Sequence, residues 1–360
     1  MGLKRRLTIS LVIVAMTLAP AILMLVVLWA ATGALESVAT WASLPAIAGM
    51  AAVAGGGRPF AVRAAIVMAF LAPLTIVAGL SPVSGAALMA LLCLMVGRMA
   101  RYGLHKSALL VPVMMAWPLI DPPAWGGQTT VDRLDTPYLL WMAAIFFVGG
   151  IFPAIVGPRV LRKRTFPAPK PHSMNEAIPY TVMITVLVTV STFYVLNSPT
   201  MYGGAFLIAT ILVLAPIGAS QTLMPTVLRI GGTLLGSVIV LLIVSRVESL
   251  ALVYVIGLVL IVIALVARFG PRAWVYYVFM MPASACLNAT TISEVGQLGE
   301  QRAVDNVIGG VAVLAAAAIV IGYSSWATKH GHASDEDAEG KDVAVAVGAV
   351  AAPGSPATAS

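Results

Sequence analysis

The chain has 360 residues, 60% of them hydrophobic and only 10% charged, with a net charge of +7 and a mean hydropathy of +0.99. Soluble domains carry about 25% charged residues, so this composition is that of an all-α integral membrane protein, in which charge is costly and apolar surface is not. The basic residues form no aromatic-interleaved stripe outside the loops that flank the apolar runs, which excludes nucleic acid as a partner.

The N-terminus, Met1 to Arg6, is basic and leads into an apolar run to Thr32. A cleaved signal has an apolar stretch of about 7–15 residues; this run is longer and is read as a retained first helix. Further apolar runs follow at 41–55, 62–80, 83–100, 107–120, 138–157, 179–197, 203–219, 227–245, 249–267, 273–289 and 303–324. With 8–32 they make twelve expected transmembrane helices. Two of them, 41–55 and 107–120, are short for a hydrocarbon layer of about 30 Å, and ten spans result if neither crosses.

With the N-terminus in the cytoplasm, all lysines and arginines except Arg133, Arg246 and Arg302 fall on the cytoplasmic side. This is the distribution that the positive-inside rule demands of a bacterial inner-membrane protein with both termini cytoplasmic. The carboxylates Glu36, Asp121, Asp132, Asp135, Glu248, Glu294, Glu300 and Asp305 lie in or beside the external loops. The longest external loop, 121–137, is flanked by Trp117, Trp125, Tyr138 and Trp141, read as interfacial anchors. His105, in a basic cytoplasmic loop, is expected to be solvated.

An internal repeat emerges at an offset of about 166 residues. Arg63 corresponds to Arg229, Arg101-Tyr102-Gly103 to Arg268-Phe269-Gly270, and Met114-Met115 to Met280-Met281. The organisation expected is a six-helix half over 1–157, a basic, proline-rich cytoplasmic linker over 158–178, a second six-helix half over 179–326 and a disordered tail over 327–360. Each half holds an even number of spans, so the tandem repeats should be parallel. Pro112 and Pro282, in the fifth helix of each half, are expected kink points.

The chain contains no GxxxxGK[ST] pattern and no soluble segment large enough for a nucleotide-binding domain, so it does not itself hydrolyse ATP. Cys93 and Cys286 lie in apolar runs without CxxC spacing and read as small buried hydrophobes. Lys329-His330-Gly331-His332 is too sparse for a metal site, and no cofactor is implied.

Two clusters in the second half carry the most information. Pro225-Thr226-Val227-Leu228-Arg229-Ile230-Gly231-Gly232-Thr233-Leu234-Leu235-Gly236 puts an arginine at a helix start, followed by a small-residue face with Gly232 and Gly236 in GxxxG spacing. Such a face lets another helix approach closely. Glu300-Gln301-Arg302-Ala303-Val304-Asp305-Asn306-Val307-Ile308-Gly309-Gly310 places Arg302 and Asp305 three apart on one face, at the outer mouth of the last span, with Gly309 as a further packing glycine. Arg302 reads either as half of an interfacial ion pair or as the cation of an anion site, with Asp305 as a carboxylate able to exchange protons. A third cluster, Trp274, Tyr276, Tyr277 and Phe279 beside Arg268 and Arg272, reads as an interfacial belt, or as a platform on which an aromatic acid stacks.

The patterns Arg-x-x-Gly-Thr-x-x-Gly, from Arg229, and Arg-x-x-Asp-x-x-x-Gly, from Arg302, resemble the fusaric acid resistance protein family and its aromatic-acid exporter relatives. Those proteins are two six-helix membrane halves, usually with a large cytoplasmic domain after each. This chain carries only the linker and so looks like the compact, uncharacterised permeases related to that family. In its first half Arg63 lacks the glycine-threonine continuation, and Asp132-Arg133-Leu134-Asp135-Thr136 echoes the second cluster only faintly.

The resemblance implies export of aromatic or other small organic acids driven by the proton motive force. It also implies a periplasmic adaptor subunit joined to an outer-membrane channel. The site is expected between the halves, with Arg229, Arg302 and Asp305 as the substrate and proton-coupling residues. Membrane lipids are partners by location, and a second copy of the chain is left open. The alternatives are a non-transporting membrane scaffold or an integral-membrane lipid-modifying enzyme. The latter usually shows Asp-rich metal motifs or His/Asp pairs, which this sequence lacks, and no enzymatic activity is expected.

Overall fold

The computed structural model describes residues 2–34, 37–124, 131–160, 169–198, 204–215, 217, 223–270, 274–289 and 291–329. Every regular element among them is helical: α1 (Leu3–Thr32), a 3-10 turn over Ser37–Ala42, α2 (Ser43–Ala78), α3 (Pro82–Ala100), α4 (His105–Ala108), α5 (Leu110–Ile120), α6 (Thr136–Val160), α7 (Met174–Asn197), α8 (Gly204–Leu214), α9 (Leu223–Arg246), α10 (Leu250–Arg268), α11 (Val275–Asn288) and α12 (Ile292–Lys329). The chain is a multi-pass helical membrane protein. Its outer surface is apolar, with Phe70 74% and Ile319 72% exposed, as lipid-facing positions of a bundle should be.

Eight helical segments among the described residues, not twelve, are long and apolar enough to cross a membrane. The difference has local causes. The runs expected at 41–55 and 62–80 are joined in α2, with a kink at Gly57 (φ 71°, ψ −173°), a left-handed backbone that glycine adopts without strain. Pro59 follows two residues later, and a proline has no N–H to donate to the helical ladder across the kink. Two other apolar stretches, His105–Ile120 and Gly204–Leu214, are short. α11 has only 14 residues, about 21 Å at 1.5 Å per residue.

Other expected boundaries shift as well. α6 runs through Pro158 to Val160 and α7 starts at Met174, ahead of Pro179, so the segment between the helices is shorter than 158–178. Pro179 lies inside α7, past its first turn, where it cannot donate to the Asn175 carbonyl. The tail from 330 onward and linker residues 161–168 lie outside the described residues, while 327–329 continue α12. Pro112 sits in the first turn of α5. Its missing N–H falls opposite Ala108, where α4 ends. Pro282 lies inside α11.

Close approach is achieved with glycine. A Cβ on Gly49 would lie 2.6 Å from the Gly150 oxygen, and one on Gly150 would lie 2.9–3.0 Å from Met68 and Ala65. α2 and α6 therefore meet backbone to backbone. α3 lies along α7, α10 along α11 and also against α1, α9 against α11 and α12, and α12 against α8. The largest apolar core joins Met68, Met89, Met115 and Phe146 to Ile184 and Ile208, so α7 and α8 share a core with the helices before the linker. A second core gathers Val240, Ile243, Val253, Met281 and Val295. Cys93 and Cys286 are both free and buried.

Several expected surface residues are internal. His105 is 6% exposed, not solvated. Its ring makes edge contacts with His172 at 5.0 Å and Tyr180 at 6.0 Å between centroids. Burial, with His172 and Lys106 nearby, pushes its imidazole down to about 4. The enclosure comes from the linker end: the His172 N–H donates to the Ala100 oxygen at 3.2 Å. Gly103, at φ 70°, abuts the Lys170 backbone, which a Cβ would meet at 2.6 Å. Gly103→Ala is expected to lower stability by about 1–3 kcal/mol through left-handed strain, measured as the thermal midpoint in detergent; an unchanged midpoint would disprove this docking.

Tyr138 is 2% exposed, its hydroxyl donating to the Pro123 oxygen at 3.0 Å, and Trp117 and Trp141 pack against the main core. Tyr138 is thus internal, while Trp117 and Trp141 are half-buried, Trp117 meeting Phe206 of α8. Trp125 lies outside the described residues.

Candidate functional site: a buried arginine cluster

α12 starts eleven residues earlier than the apolar run suggests. Thr291 accepts the Glu294 N–H on its Oγ1 at 3.3 Å, the Thr-x-x-Glu arrangement of a capped helix start. Arg302 is thereby carried about 15 Å along the helix axis and is 2% exposed, as is Asp305. Both side chains are enclosed by the bundle.

α9 runs antiparallel to α12, with Gly310 against Thr226 and Ile230 and Gly299 against Val240. Arg229 lies about 9 Å into α9 and Asn306 about 21 Å into α12, counted from opposite ends. The two side chains meet there. Arg229 Nε donates to Asn306 Oδ1 at 2.8 Å and Arg229 Nη2 to Thr210 Oγ1 at 3.3 Å. Thr210 Oγ1 donates in turn to Asn306 Oδ1 at 3.2 Å, and Asn306 Nδ2 to the Arg302 carbonyl at 2.7 Å. Asn306 thus ties one arginine to the helix turn that carries the other.

The Arg302 guanidinium donates through Nη1 to Ser284 Oγ on α11 and stacks over the Phe206 ring of α8, 3.9 Å from its centroid. Its Nε has no hydrogen-bond partner, and neither has Asp305 Oδ2, although both atoms are enclosed. No Lys/Arg–carboxylate ion pair within 4.0 Å occurs among the described residues; the one salt bridge there joins His172 and Glu176. The simple Arg302–Asp305 ion pair is therefore absent. Two cations, a carboxylate and their neutral partners share the interior with donors and acceptors unspent. Buried polar atoms are almost always paired, so unpaired ones ask for a missing partner.

Glycines make room for this arrangement. A Cβ on Gly232 would lie 2.6 Å from Tyr277 Cβ, one on Gly236 2.7 Å from the Val278 oxygen, and one on Gly309 3.0 Å from Thr210 Cγ2. The GxxxG face of α9 is thus the contact with α11, and Gly309 seats α12 on α8. The polar groups all come from the second half, where a site between the halves had been expected. The first half reaches the cluster through Trp117 of α5, whose ring meets Phe206 edge to face at 5.1 Å.

The first-half residues aligned with these in sequence lie elsewhere. Arg63 is exposed. Arg133 donates to the carbonyl oxygens of Ile76, Leu119 and Ile120 at 3.3, 2.9 and 3.1 Å, closing the C-terminal ends of α2 and α5. In the aromatic cluster of α11, the Arg268 guanidinium lies 5.5 Å from the Tyr276 ring centre, and Trp274 is 43% exposed. Arg272 lies outside the described residues.

Sequence reasoning missed Phe206, Thr210, Ser284 and Asn306. Asn306 stands within the quoted cluster, four residues after Arg302 and hence one helical turn on; the other three lie in unmarked apolar helices.

A bundle of apolar helices that encloses a cluster of ionisable side chains is compatible with a transporter-like membrane protein. Residues 188–316 match the family model described as fusaric acid resistance protein-like. The matched segment contains every member of the cluster. No curated protein and no solved structure matches the chain.

Proposed function

We propose that the chain is an inner-membrane permease that exports small organic acids, aromatic ones included, with proton movement through Asp305 driving the cycle. The observation that carries this reading is a pair of arginines inside the bundle, Arg302 buried and Arg229 half-buried, with no carboxylate in salt-bridge contact among the described residues. A carboxylate substrate would supply the missing anion, and the Phe206 ring under Arg302 offers an apolar surface to its body. Asp305, one helical turn on with an unpaired oxygen, is positioned to take up a proton as the substrate anion leaves, since intramembrane carboxylates commonly serve in proton relays.

Twelve passes in two parallel repeats belong to the same proposal. The α2 kink yields two segments from one element. α3 pairs with α7 as α10 pairs with α1, each half's fourth segment resting on the other half's first. Both termini lie in the cytoplasm, and the external 121–137 loop is the surface offered to a periplasmic adaptor linked to an outer-membrane channel. We assign no chemical step to the chain.

Asp305→Asn keeps the shape of the side chain and removes its titration. Export by inverted vesicles carrying this variant is expected to lose its dependence on an imposed proton gradient, at unchanged protein level. Retained proton-driven export would take the coupling role away from Asp305. Equal solute levels in deletion and wild-type cells, with or without a protonophore, would favour a scaffold instead.

A further inference from the structure

A groove of about 760 Å³ opens on the outer surface where α1 meets α10, lined by no residue of the arginine cluster. Its walls are Leu3 and Leu7 of α1, Val262, Ile263 and Val266 of α10, and Val275 at the start of α11. Leu3, Leu7 and Ile263 are 71, 43 and 40% exposed, so the groove faces the lipid. Among the described residues, one charged side chain lines it, that of Arg6.

Arg6 lies at the end of the groove closed by Gly270, where a Cβ would stand 3.0 Å from its Nη1. Its Nε is enclosed and has no hydrogen-bond partner. Lys4, Arg5 and Arg268 are exposed close by on the same two helices, at the N-terminal end of α1 and the C-terminal end of α10. An apolar trough thus ends at an unpaired cation in a basic rim. That pattern has the chemistry of one occupant: acyl chain along the trough, anionic headgroup on the guanidinium.

We propose that this groove binds an anionic phospholipid, its phosphate on Arg6 and one acyl chain between α1 and α10. Charge complementarity selects the lipid, because a zwitterionic headgroup brings its own cation to the same basic rim. The volume is within the range of about 300–1,000 Å³ usual for small-molecule sites. The bound lipid would fill the gap beside the contact between the first and tenth helices, one of the places where the chain's two ends are held together.

The test is native mass spectrometry of the full-length protein in detergent, titrated with phosphatidylglycerol or with phosphatidylcholine. Wild-type protein is expected to retain phosphatidylglycerol in preference to phosphatidylcholine. Arg6→Gln should weaken phosphatidylglycerol retention about fivefold, the effect of one basic residue near an anionic surface, while Lys4→Gln, which removes the same charge outside the groove, changes it less. Ala267→Trp, which fills the trough, should reduce retention of both lipids. Equal weakening by Arg6→Gln and Lys4→Gln would reduce the site to general surface charge and overturn the proposal. So would full retention in Ala267→Trp. Thermal midpoints of the variants in lipid-free detergent separate loss of lipid from loss of fold.

Discussion

Arg302→Ala should lower export of a carboxylate substrate roughly ten- to hundredfold while leaving a neutral analogue nearly unaffected. A hydrogen bond to a charged group contributes about 1.5–3 kcal/mol, and each 1.4 kcal/mol is about tenfold in affinity. The protein should still assemble, because Asn306 bonds the backbone carbonyl of residue 302 and not its side chain. Ser284 Oγ, which also donates to the Met281 carbonyl at 2.8 Å, keeps a partner. Arg302→Lys is the informative companion. It retains the charge but neither the planar stack on Phe206 nor the fork of donors, so it should recover only part of the loss. Vesicle uptake of a radiolabelled aromatic acid against its amide reads both variants. Equal losses for acid and amide would mean that Arg302 supports the fold and does not recognise charge.

The second large effect concerns packing. Gly236→Leu should cost about 3 kcal/mol, at the upper end of what overpacking does, and should abolish transport. The atom met first is the Val278 backbone oxygen at 2.7 Å, with Pro282 Cδ at 3.0 Å and Met281 Cβ at 3.1 Å. Backbone and a proline ring cannot swing aside as a flexible side chain would, so α9 must leave α11 and carry Arg229 away from Asn306. Gly231→Ala is the control: nothing lies within 4 Å of its Cβ position, and alanine is favoured over glycine inside a helix by up to about 1 kcal/mol. It should be neutral or stabilising. The fraction of monodisperse protein after graded heating in detergent separates the two, and similar curves would refute the close α9–α11 contact.

The parts of the architecture legible in the sequence were those governed by composition and by strong local chemistry. Apolar length announced a helical membrane protein. The arginine motifs picked out Arg229, Arg302 and Asp305, and the GxxxG spacing identified a contact face that the structure fills with α11. Hydropathy misplaced the start of α12, because Glu300, Gln301 and Arg302 interrupt the apolar run; the Thr291–Glu294 cap, a signal of a different kind, marks the true start. Phe206, Thr210 and Ser284 could not be found this way. Each sits in an apolar helix like many other residues of its type, and only tertiary packing brings it to the arginines. His105 was misread for the same reason: its burial depends on His172 and Tyr180, more than sixty residues away in the chain.

The edge-to-face contact between Trp117 and Phe206 has a mechanical corollary. One ring is anchored in the helices before the linker, the other in those after it, and the second also cushions the Arg302 guanidinium. Sliding one set of helices past the other by more than a ring's width uncouples the indole and frees the phenyl to rotate. The cation then loses its apolar floor. On the proposed reading, movement of the bundle and the affinity of Arg302 for an anion would be geared through this pair of aromatic rings.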